Sequence, residues 1–127
     1  MSGDKDEVKE LRTLLALHGA SYEFAAGYVV EFKVEVTDET PERPHGISYA
    51  LVLRQKGGDP CVRFDNAHAV KRPGGPYVKR SKAYDHWHRS GRDRGRPYEF
   101  TTPLKLLKDF FREVKRVLDE RGIPNDL

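Results

Sequence analysis

Arg63, Asp65, Asn66 and His68 fall within one short run, Cys61 to His68 (CVRFDNAH), and His86 and His88 within another, Tyr84 to His88 (YDHWH). Three of the chain's five histidines thus share two segments with an arginine and an aspartate. Imidazoles exchange protons near neutral pH, a carboxylate orients them, and a guanidinium holds phosphate. A metal-independent ribonuclease would use His68 and one of His86 or His88 as base and acid, toward the 2′-hydroxyl and the leaving oxygen. Arg63 or a loop lysine would then face the phosphate, and Asp65 would orient a histidine or raise its pKa. A metal hydrolase would instead take ligands from His68, His86 and His88, with Asp65 as a fourth. The H-x-H spacing is weak support for a metal, since many such pairs are surface histidines and no zinc-finger spacing is present. A third use is binding without catalysis. The plain alternative is that Asp65 and Asn66 shape a turn, Arg63 pairs with a surface acid and the histidines are incidental. No standard catalytic motif decides among these.

Such residues need rigid elements behind them. Val62 and Phe64 alternate with Arg63 and Asp65, which predicts a strand with its apolar pair inward and the charged pair on the opposite face. Asn66 then shapes the site as the chain leaves the strand. In an extended YDHWH, Tyr84, His86 and His88 share one face and Asp85 and Trp87 the other. Between the two segments the chain is strongly basic. Residues 71–98 hold nine cations against Asp85 and Asp93, a local charge of +7 that leaves −4 on the rest of a chain whose net charge is +3. Lys71, Arg72, Lys79, Arg80, Lys82, Arg89, Arg92 and Arg94, with Tyr84 and Trp87 to stack on bases, form a candidate surface for a polyanion, nucleic acid first. The plain reading of that block is a solvated loop.

In chain order, Val8, Leu11, Leu14 and Leu15 predict a helix over 6–18, with His18 at its end. The even positions from Tyr22 to Val36 are apolar and the odd ones mostly charged, one long strand or two broken at Gly27. Ile47, Tyr49, Leu51 and Leu53 predict the next strand, which forms a hairpin with CVRFDN through QKGGDP. His45 is expected as a turn residue before it. A fourth strand falls within 77–88, and SGRDRGRP is a loop. Thr101 or Thr102 caps a final helix with Pro103 at its first turn and Leu104, Leu107, Phe111, Val114 and Leu118 as its stripe, widened by Leu106, Phe110 and Val117. Gly122 and Pro124 end it. Leu106 and Phe110 serve either the core or a homodimer face.

The expected fold is α+β in two layers: an antiparallel sheet of about four strands with an N-terminal and a C-terminal helix. One domain spans 1–127, with a helical segment 1–20, a sheet 21–100 carrying the basic loop 71–97, and a helix 101–122. A chain of 127 residues, 37% hydrophobic and 34% charged, with a mean hydropathy of −0.75, builds one modest core. The single cysteine, Cys61, excludes an internal disulfide and is expected to pack beside the sheet. No run approaches the roughly 20 apolar residues of a membrane helix, and MSGDKDEVKE has no signal-peptide pattern, so a cytoplasmic protein is expected.

HGISYALVL, VRFDNAH, DHWH and PYEFTTPLKLLKDFFREV together resemble the small TumE-type toxins of prokaryotic toxin–antitoxin systems, from about Tyr28 to about Val117. The most specific parts are the RFDNAH run, the H-x-H pair and the Tyr-x-Phe leading into an LL-x-x-F helix. The resemblance implies a bacterial or archaeal cytoplasmic protein encoded beside an antitoxin, with toxicity directed at RNA or translation. Arg63, Asp65, Asn66, His68, His86 and His88 match the family pattern. The expectation is therefore a toxin of a type II pair that acts on RNA, with a metal-independent ribonuclease as the leading chemistry. Its partners would be the cognate antitoxin and RNA, with no membrane and no cofactor. A non-catalytic nucleic-acid- or partner-binding module and a metal-dependent hydrolase are the alternatives.

Overall fold

The structure, a computed structural model, describes residues 2–41, 43–66, 70–71, 82–83, 85–89 and 95–127, with the backbone alone in 2–5, 70–71 and 82–83. Two helices, α1 (Ser2–Ala16) and α2 (Pro103–Glu120), flank eight strands. The strands are β1 (Ser21–Glu23), β2 (Tyr28–Val36), β3 (Ile47–Gln55), β4 (Pro60–Asp65), β5 (Val70–Lys71), β6 (Lys82–Ala83), β7 (His86–His88) and β8 (Arg96–Pro97). Six form one sheet in the order β1-β2-β3-β4-β7-β8, antiparallel throughout, while β5 and β6 pair separately as a short ribbon. The α+β class is as the sequence implies, with six strands in the sheet where about four were expected. The extra two are very short, and neither carries an alternation long enough to read.

Alternation builds the core. Val30 faces Leu53, Phe32 faces Leu51 and Val34 faces Tyr49 across β2 and β3, and Leu51 and Leu53 face Phe64 and Val62 on β4. Directly opposed side chains lie on one side of a sheet, so this set forms a single apolar face. Helix α2 covers it with Leu106, Phe110, Val114, Val117 and Leu118, and α1 adds Leu14, all buried. Phe110 sits centrally, edge-on to Phe32 at 6.0 Å and to Phe64 at 5.9 Å between ring centroids. Leu106 and Phe110 are therefore core residues, not a dimer face. Thr102 caps α2 by accepting the Lys105 N–H at 3.1 Å, and Pro103 occupies the first turn.

Several expectations change. The 22–36 run takes the second of its two expected forms, two strands broken at Gly27. Ala26 (φ 60°) and Gly27 (φ 79°) reverse the chain in a 3-10 turn, so β1 folds back onto β2 and Tyr22 stands opposite Val30. Val36, at the far end of β2, is 72% exposed because the strand outruns the helices. Val8 and Leu104 are also exposed, so each helix buries only part of its apolar stripe. Among the described residues of the fourth strand expected within 77–88, His86–His88 joins the sheet and Lys82–Ala83 pairs with β5. His18 accepts the Val34 N–H through Nδ1 at 3.1 Å, which ties the end of α1 to β2 in place of its own helix carbonyls. Cys61 is buried as expected. His45 lies against Phe100 with 4.0 Å between centroids, so it packs as well as turns.

This packing predicts unequal costs along α2. Phe110→Ala should lower stability by about 3–5 kcal/mol, and Leu104→Ala by less than about 0.5 kcal/mol, both read by urea denaturation. Equal losses would place the helix in a different rotation.

Candidate functional site

The sheet face away from the helices carries the polar partners of the core residues: Arg63 and Asp65 on β4, and His86 and His88 on β7. The register fixes their meeting, with Arg63 opposite His88 and Asp65 opposite His86, while Phe64 and Trp87 pair between them on the apolar side. Four of the five residues expected to do chemistry are thus brought together on two adjacent strands. The fifth, His68, lies outside the described residues.

Asp65 is the centre. Its carboxylate is 1% exposed, and His86 is 3% exposed beside it. The His86 Nε2–H donates to Asp65 Oδ1 at 3.0 Å, and the Arg63 Nε–H donates to Oδ2. Burial pushes the Asp65 carboxyl upward, but the hydrogen bonds and charges of His86 and Arg63 outweigh it and hold its pKa down at about 2. The group is therefore an anion at neutral pH. An anionic carboxylate only accepts, so His86 carries a proton on Nε2, directed at Asp65. The His88 ring stands edge-on to His86, 5.0 Å away between centroids.

Other residues support this centre, and Gly95 and Tyr49 among them were not legible as site residues. Gly95 lies against the imidazoles with φ +98°, and a Cβ there would meet His88 Cε1 at 2.9 Å and His86 Cδ2 at 3.3 Å. Only glycine permits this approach; in the sequence it read as one more loop glycine. Asn66 accepts the Tyr49 N–H at 2.9 Å and donates to the Ile47 carbonyl at 2.8 Å, fixing the end of β4 to the start of β3. Tyr49 donates its hydroxyl to Asp85 Oδ2 at 2.7 Å, which holds the residue just before His86. Burial, then the Asp85 charge, raises the Tyr49 pKa, and burial raises that of Asp85 despite this hydrogen bond. On the far side of β8, Tyr98 donates to Asp109 Oδ2 at 2.6 Å, and Lys105 reaches the same oxygen at 2.7 Å. These bonds anchor β8 to α2 beside a cavity of about 300 Å³ walled by Trp87 and Phe64.

Trp87 is half-buried, stacked on Phe64 at 5.4 Å with the Arg96 guanidinium 5.3 Å from its ring centroid. Arg89 is exposed at the end of β7. Lys71 and Lys82 stand opposite each other in the β5–β6 ribbon, between the two site strands in the chain. Arg72, Lys79, Arg80, Tyr84, Arg92 and Arg94 lie outside the described residues. Of the metal-ligand set expected from His68, His86 and His88, the two described members stand with Asp65, one donor atom from each within 4.8 Å of the others.

The family described as Toxin TumE matches residues 5–118. The match begins well before Tyr28 and so takes in α1, which the sequence pattern alone did not clearly include. No curated protein and no solved structure matches the chain. Among the described residues no helix is long and apolar enough to cross a membrane.

Two outcomes follow from this geometry. Gly95→Ala adds both a backbone strain and a clash, so it should cost about 1–3 kcal/mol and displace the His88 ring resonances in NMR spectra. For Asp65 the folded pKa lies below the unfolded one, so its stabilisation is present above about pH 4 and is lost as pH falls through about 2. The stability gap between wild type and Asp65→Asn should reach on the order of 2 kcal/mol at pH 6 and narrow toward pH 2.5 in urea titrations. A gap constant with pH would mean that no ionised carboxylate sits there.

Proposed function

The chain belongs to the TumE toxin family, and from that premise we propose that it is the toxin of a type II pair and cleaves RNA without a metal at the Asp65–His86–His88 centre. Family membership implies a cognate antitoxin as partner. The observation that carries the chemical reading is the buried, anionic Asp65 accepting from His86 Nε2, directly beside a second imidazole. A carboxylate-oriented histidine next to another is what a base and an acid on one phosphodiester require.

In the proposed reaction His86 Nδ1 takes the proton of a ribose 2′-hydroxyl. The 2′-oxygen forms a bond to phosphorus, the bond from phosphorus to the 5′-oxygen breaks, and that oxygen leaves with a proton from the second histidine. The products are a 2′,3′-cyclic phosphate and a 5′-hydroxyl. His88 is the second histidine by proximity, and His68 stays a candidate from its place two residues past Asn66. Arg63 gives Nε to Asp65, and its Nη donors suit the phosphate, where charge develops. The basic segment supports the polyanion. Five cations against Asp85 lie between Asp65 and His86, a charge of +4, and four more against Asp93 follow His88, so the basic residues are chained to both sides of the site. Arg89 and the cations of 71–94 would hold the RNA backbone, with Tyr84 or Trp87 against a base.

Induced expression of the wild type should arrest growth, and a His86→Ala/His88→Ala variant of confirmed fold should not. Purified protein should cleave RNA in chelator, leaving cyclic phosphate ends, and each single His→Ala should reduce the rate by about 10²–10⁴-fold. Salt-sensitive RNA binding with no product would leave a binding module. Cleavage abolished by chelator would leave a metal hydrolase.

A further inference from the structure

We propose that Asp65, His86 and His88 also form a zinc site, and that Zn²⁺ bound there switches off the acid–base chemistry of the same histidines. The switching half rests on the cleavage reading above; the binding half stands on geometry alone.

The donors come from rigid neighbours. His86 and His88 are two apart on β7 and so share a face, and Asp65 lies directly opposite His86 on β4. One nitrogen or oxygen from each falls within 4.8 Å of the others. A four-coordinate zinc with bonds near 2.0–2.2 Å separates its donors by roughly 3.3–3.5 Å. The His86–Asp65 contact at 3.0 Å is already close to that spacing, so a His88 side-chain rotation supplies most of the closure. Two imidazoles and one carboxylate select a borderline ion such as Zn²⁺ over Mg²⁺ or Ca²⁺, which favour all-oxygen shells.

Arg63 fits the same arrangement. It holds Oδ2 of Asp65 and leaves Oδ1 turned toward His86. A ligating carboxylate is commonly fixed in this way by a hydrogen bond to its second oxygen. The ion takes the place of the proton on His86 Nε2 that Asp65 now accepts, and the neutral imidazole keeps its one proton on Nδ1, the nitrogen that the cleavage reading uses as the base. Once both imidazoles are on the metal, neither can pass a proton to or from RNA.

The test is calorimetric titration of the metal-free whole protein with ZnCl₂, with Co²⁺ absorption as a probe of coordination. One ion per chain is expected, with tetrahedral Co²⁺ bands and no competition from a hundredfold excess of Mg²⁺. Affinity should fall at least tenfold in His88→Gln and in His86→Gln, with circular dichroism confirming the fold, and should be unchanged in His45→Ala. No stoichiometric binding, or binding indifferent to both glutamine variants, overturns the site. Zinc should slow RNA cleavage at least tenfold and chelator should restore it; acceleration by zinc overturns the switch. If the protein cleaves no RNA under any condition, the function proposed above fails while the titration still decides the zinc site.

Discussion

A carboxylate removed from water must be neutralised where it stands, and in this small domain one such group sets the geometry around it. Asp65 is buried at the end of β4 on the side of the sheet away from the helices. Arg63 and His86 donate to it from different places, Arg63 two residues back on its own strand and His86 on the neighbour. An uncompensated buried charge costs several kcal/mol, so any slip of β7 along β4 is penalised electrostatically. The one-residue slip that would leave most backbone pairing possible would also turn His86 to the wrong face. A three-residue strand thus gains a register that its length alone would not enforce.

The constraint continues beyond the pair. Asn66, next to Asp65, grips the backbone at Tyr49 and Ile47; the Tyr49 hydroxyl grips Asp85; Asp85 is followed by His86, which returns to Asp65. Covalent neighbours and hydrogen bonds close a ring that passes through the sheet from one face to the other. The aromatic core and the polar centre are therefore not independent. Phe64 and Trp87 stack on the core side of the same two strands whose alternate residues make the site. Displacing either ring would tilt the strand that carries His86 and His88.

Much of this was written in alternation. The apolar positions of β2, β3 and β4 and the buried stripe of α2 follow from periods of 2 and 3.6, and the same period of 2 put Arg63 with Asp65, and His86 with His88, on polar faces. What periodicity does not carry is which strands are neighbours. That β7 lies against β4, and not at some other edge, decides whether the two halves of the site meet. Gly95 was opaque for a different reason: its importance lies in an absent atom, visible only when the rings of His86 and His88 are beside it. Tyr49 read as a core strand residue and Asp109 carried no signal, because a hydrogen bond between distant residues leaves no local pattern. The same blindness explains Leu104 and Val36, apolar residues whose partners end before they do.

The chain departs from the sheet after Asp65 and comes back at His86, and those two residues face each other across adjacent strands. An excursion whose ends are already closed by the sheet costs little more when it is lengthened, since the closure term grows only slowly with length. A change in the length of chain between Asn66 and Asp85 is therefore expected to cost little of the register that holds the imidazoles.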